Sequence, residues 1–103
     1  MPIERYELID YTSLTVGAAA VGFADASPAM DPSRPADLFV GVVEGASIRT
    51  REDGTDPTAT EGMAVAVGSG VEVDGASVAA FKAIAQSGSG TLRGHFYRYV
   101  GSR

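Results

Sequence analysis

The chain reads as an all-β protein: a single antiparallel β-sandwich, immunoglobulin-like or jelly-roll-like, with about seven short strands. Three observations predict it. Thirteen glycines and five prolines in 103 residues interrupt every window long enough for a three-turn amphipathic helix. Short alternating or apolar runs recur along the chain. Between them stand GSG at 68–70, DG at 74–75 and SGSG at 87–90, all turn chemistry. The length suits one domain over 1–103 with one modest core.

The elements follow in order. Arg5 to Tyr11 alternates, with Tyr6, Leu8 and Asp10 on one side and Glu7, Ile9 and Tyr11 on the other. Leu14 to Phe23 is small and apolar, broken by Gly17 and Gly22. Residues 24–36, ADASPAMDPSRPA, hold three prolines and almost no apolar bulk, so a long irregular loop is expected there. Leu38 to Val43 is a continuous apolar run, as in a strand covered on both faces. Ser47 to Arg51 alternates around Ile48, and GVEVDG turns Val71 and Val73 inward and Glu72 and Asp74 outward. Val78 to Ala85 fits either a strand or one helical turn leading into a strand. The last strand, Thr91 to Val100, sets Leu92, Gly94 and Phe96 against Arg93, His95, Tyr97 and Tyr99.

IRTREDGTDPTATEG, residues 48–62, is the densest polar stretch. Asp53-Gly54 offers the tight reversal of a hairpin, since glycine accepts positive φ. Pro57 fixes φ and removes a donor, Thr58 and Thr60 alternate as β-formers, and Gly62 marks the next bend. Asp53, Gly54, Pro57 and Gly62 therefore define a fold-building turn. The competing reading gathers Glu52, Asp53, Asp56 and Glu61 around calcium, but their spacing is not that of an EF-hand loop.

Composition excludes several classes of function. A net charge of -5 argues against nucleic acid and anionic membranes as partners. The absence of cysteine removes disulfides, thiol catalysis and thiolate metal sites. MPIERYELIDYTSL has no basic region followed by an apolar run, so no secretory signal is expected, and LTVGAAAVGFA is too short to span a bilayer. His95 is the sole histidine, mid-strand, and none of Ser13, Ser27, Ser69 and Ser87 lies in a GxSxG elbow. Gly68-Ser69-Gly70 lacks the lysine of a phosphate loop. No catalytic, cofactor-binding or metal-binding residues are expected, although a small hydrolase with His95 at the mouth of a pocket is the third class to weigh.

The aromatic residues point to contact instead. Tyr97 and Tyr99 with Arg93 and Arg98 form a strip of the kind enriched in protein interfaces, and Tyr6 and Tyr11 join it if the first strand pairs with the last. Covering the sandwich ends is the other role open to these rings.

IRTREDGTDPTATEG, LTVGAAAVGF, FKAI at Phe81–Ile84 and the closing TLRGHFYR together resemble a pattern in small structural proteins of tailed bacteriophages and prophages. The likeness covers about Leu14 to Arg98; the proline-rich loop and the residues before Leu14 match less well. It implies a non-enzymatic β-sandwich of the virion, assembled in the host cytoplasm. Its partners would be the major capsid, neck or tail protein, with sister copies forming a homo-oligomer in the particle. A head decoration or cement-type role is the first expectation, with a neck or tail component as the alternative. DGTDPT-like turns also occur in immunoglobulin-like modules that bind carbohydrate or cell surfaces, although such a module would have to stack sugars on tyrosine alone, there being no tryptophan.

Overall fold

The computed structural model describes residues 5–23 and 36–101. The expected proline-rich loop at 24–36 lies outside them apart from Ala36. Eight strands and one helical turn follow in order: β1 Arg5–Val16, β2 Val21–Gly22, β3 Leu38–Glu44, β4 Ile48–Arg51, β5 Met63–Val65, β6 Gly70–Asp74, α1 Ser77–Ala80, β7 Lys82–Ala85 and β8 Gly90–Gly101. They form two four-stranded antiparallel sheets, β1-β8-β3-β6 and β2-β7-β4-β5.

The pairing has a simple rule. The first strand bonds to the eighth, the second to the seventh, the third to the sixth and the fourth to the fifth. The chain is thus one long antiparallel hairpin folded over into two layers, with β3–β8 and β4–β7 pairs completing the sheets. That is the jelly-roll order, and it sets aside the immunoglobulin-like alternative, in which the strands divide as ABED and CFG. The count rises to eight because Met63–Val65 adds a strand outside the runs that alternation marks; the small apolar stretch 14–23 divides, Leu14 to Val16 completing β1 and Val21–Gly22 making a separate short strand in the other sheet.

The core is phenylalanine. All four phenylalanines are buried, Phe39 and Phe96 from one sheet and Phe23 and Phe81 from beside the other. Phe23 is the hub. Its ring stacks on Phe81 at 4.4 Å, tilts on Phe39 at 4.5 Å and meets Phe96 edge-on at 5.0 Å. Val16, Val43, Ile48, Val73, Val78 and Leu92 pack around them. Burying such rings contributes about 1.5–3 kcal/mol each.

Two glycines make room for this cluster. Gly41 on β3 and Gly94 on β8 are direct partners in the ladder, and the Phe39 ring lies across both. A Cβ on Gly94 would stand 2.4 Å from the Val40 carbonyl oxygen and 2.6 Å from Phe39 Cζ. A Cβ on Gly41 would stand 2.5 Å from the Arg93 carbonyl oxygen and 2.6 Å from the same ring atom. Glycine in a strand interior is weakening by itself, and a covering aromatic offsets that loss.

One expectation is corrected and one alternative is decided. Leu38 to Val43 is covered on one face only: Phe39 and Val43 are buried, while Val40 is 42% exposed. No second layer lies over that face among the described residues. Val78 to Ala85 takes the second of its two forms, one helical turn with Val78 buried and then the strand Lys82–Ala85.

Two substitutions test the glycine pair. Gly94→Ala is expected to lower stability by about 2–3 kcal/mol, the cost of overpacking a filled core. Gly17→Ala, where a Cβ meets nothing within 4 Å, is expected to stay within about 0.5 kcal/mol. Urea midpoints compared at constant m-value read both.

Candidate interaction face

The outer surface of the β1-β8-β3-β6 sheet collects the aromatic residues. On β8, alternation buries Leu92, Gly94 and Phe96 and turns Arg93, His95, Tyr97 and Tyr99 outward. On β1, Leu8 lies opposite Tyr97, Tyr11 opposite His95 and Tyr6 opposite Tyr99. On β3, Leu38 and Val40 lie opposite Tyr97 and His95; beyond them, Asp74 and Glu72 of β6 close the two rows.

A β-bulge completes the strip. Strict alternation assigns Tyr6 and Tyr11 to opposite faces, yet both stand on the outer one. The β1 register slips between Leu8 and Asp10, so Ile9 is an extra residue that packs against the core. Everything after it changes side, which is the ordinary effect of a bulge. A second slip, between Arg5 and Tyr6, absorbs Val100 and keeps Tyr6 over Tyr99.

The rings touch one another. Tyr6 and Tyr99 meet edge-on at 5.6 Å, Tyr11 and His95 at 5.3 Å and 59°, and His95 and Tyr97 at 6.4 Å and 51°. Leu8 is 57% exposed beside them. Arg93 donates from Nε to Glu44 Oε1 at 2.9 Å and from a terminal nitrogen to Ser13 Oγ at 3.1 Å. Its guanidinium is held above its ordinary value, first by the Tyr11 phenol and then by Glu44.

Five of the six residues expected at an interface, Tyr6, Tyr11, Arg93, Tyr97 and Tyr99, thus share one face. Arg98 does not. It falls between two outward tyrosines, so alternation carries it to the Phe96 side, opposite Glu7. Sequence reasoning missed Leu8, His95 and Val40 as members. Leu8 and His95 keep the two-residue spacing of the tyrosines, whereas Val40 becomes visible only through the β3–β8 register.

Residues 48–62 build a clasped loop rather than a tight hairpin. β4 and β5 do pair, but the chain between them runs from Glu52 to Gly62. Arg51 and Asp53 form a two-bonded ion pair, 3.1 Å from Nε to Oδ1, and Asp53 Oδ1 also accepts the Thr55 N–H at 3.2 Å. Gly54 turns the chain with φ +83°. Thr58 and Thr60 are not alternating strand residues. The Thr58 hydroxyl accepts the N–H groups of Thr60 and Glu61, the local bonding by which threonine competes with a ladder. Arg49 then pins the loop, donating to the carbonyls of Ala59 at 3.0 Å and Gly62 at 2.9 Å. Pro57 is buried against Gly62, whose φ of +134° leads the chain into β5.

A shallow open depression of about 560 Å³ lies between this loop and β4–β5, lined by Thr50, Arg51, Glu52, Asp53, Glu61, Gly62 and Met63. Its acids do not converge, and among the described residues no three carboxylate or histidine groups gather to hold a metal. Among the described residues, no serine hydroxyl or carboxylate hydrogen-bonds to His95; its neighbours are the Tyr11 and Tyr97 rings.

No family model, curated protein or solved structure matches this chain.

The clasp makes a pH prediction. Arg51, and next the Thr55 N–H, lower the Asp53 carboxyl from 3.8 to about 2. The folded value is depressed, so the stabilisation is full above the unfolded value and is lost as pH falls through the folded one. A carboxyl titration by NMR is expected to place Asp53 at about 2 in the native chain. In Arg51→Gln the midpoint should climb most of the way back to 3.8.

Proposed function

We propose that the protein is a non-enzymatic structural component of a tailed phage particle, docking on other virion proteins through the outer face of the β1-β8-β3-β6 sheet. One observation carries the reading: a face that the core does not need is lined by Tyr6, Leu8, Tyr11, Val40, His95, Tyr97 and Tyr99. Soluble domains seldom expose contiguous apolar surface unless it meets a partner, and tyrosine serves well there because its ring is large and its hydroxyl remains satisfied in water or on contact.

The likeness of IRTREDGTDPTATEG and TLRGHFYR to small phage proteins supplies the virion context. The jelly roll agrees with that context, since capsid domains use this architecture, but the same architecture serves lectins and enzymes. A head decoration role comes first, because a small acidic sandwich suits a repeated lattice on which many weak contacts add up. A neck or tail position would use the same face. Sugar stacking is disfavoured: neighbouring rings tilt by 59° and 51° and offer no shared plane to a pyranose.

Co-sedimentation with phage heads that lack the protein tests this. Saturable binding at a fixed number of copies per head is expected. Leu8→Ser with Tyr11→Ser is expected to weaken it at least about tenfold while stability changes by less than about 1 kcal/mol. No binding to heads, necks or tails would remove the virion reading, and retention on a polysaccharide matrix would put the sugar module in its place.

A further inference from the structure

The aromatic face has a charged margin along one side. Val40 of β3 lies opposite Glu72, and Leu38 opposite Asp74, so both carboxylates project from β6 onto the same outer surface as His95 and Tyr97. Both residues are exposed. Among the described residues neither has an ion pair, while Arg93, on the same face, is committed to Glu44 and Ser13.

We infer that this face is built for a protein surface that sets arginine or lysine side chains against Glu72 and Asp74 while its apolar side chains cover the rings. The inference rests on the docking face proposed above and specifies the chemistry of what docks. A second copy in a rim-to-rim arrangement fits poorly. It would oppose Glu72 and Asp74 with their own counterparts, between two chains that each carry a net charge of -5. A cationic rim would steer approach and fix the register, and the aromatic centre would supply the contact that lasts.

The test needs no identified partner, because the chain can be made into its own complement. Glu72→Lys with Asp74→Lys leaves the rings in place and turns the rim basic. Sedimentation velocity at about 50 mM salt, where screening is weak, then compares the wild type, the variant and their equimolar mixture. The mixture is expected to associate at least about tenfold more tightly than either protein alone, and to lose that gain at about 0.5 M salt. Glu52→Lys with Asp56→Lys makes the same charge change on the 52–62 loop, and its mixture with wild type is expected to gain less than about twofold. Equal gains from both pairs would reduce the effect to bulk charge and overturn the inference, as would no gain from the first pair. Failure of the protein to bind phage heads, with the rim-specific gain intact, would instead strike only the virion reading.

Discussion

The two layers are held in register by one ring. Phe23 touches Phe39 and Phe96 of one sheet and Phe81 from beside the other. Removing it would cost about 3–5 kcal/mol, a large part of the roughly 5–15 kcal/mol by which such domains are stable. The arrangement also dictates residues that carry no side chain. Phe39 lies flat over Gly41 and Gly94 only because neither has a Cβ, and that flatness brings its ring within 4.5 Å of Phe23.

With the inner face consumed by this cluster, the outer face of the same sheet is free of any folding duty. A sheet covered on one side normally turns polar residues to water, in clean alternation with its apolar ones. Here β1, β3 and β8 turn tyrosine, leucine, valine and histidine to it instead. The other sheet is different: its outer surface carries Arg49, which bonds back onto its own loop, and Arg51, which is clasped by Asp53. Both arginines of β4 are thus bound to their own loop, whereas the other sheet presents aromatic rings.

Much of this was legible in the sequence. Glycine punctuation and two-residue alternation announced the class, the inward valines of β6 and the division of β8 into a core side and an aromatic side. What was not legible depended on register. The extra residue at Ile9 reverses the facing of everything beyond it, so local alternation separates Tyr6 from Tyr11 although the fold unites them. Arg98 parts from the tyrosines for the converse reason: it is their neighbour in sequence, and alternation along β8 sets it on the other side. The DG turn failed as a hairpin signal because its neighbours found other partners. Arg51 reached Asp53 and the Thr58 hydroxyl took nearby amides, and a two-residue reversal became a loop. The one-sided burial of Leu38 to Val43 had no local signal, since an apolar run looks the same whether its outer half meets protein or water.

The pairing of β1 with β8 along almost their whole length sets Arg5 beside Gly101. Traction applied to these two points would run across the ladder rather than along it, breaking one rung at a time from that end, as a zipper opens. Shear between strands would instead load many rungs together. The β1–β8 ladder is therefore mechanically soft when pulled apart at Arg5 and Gly101 and firm when its two strands are slid past one another.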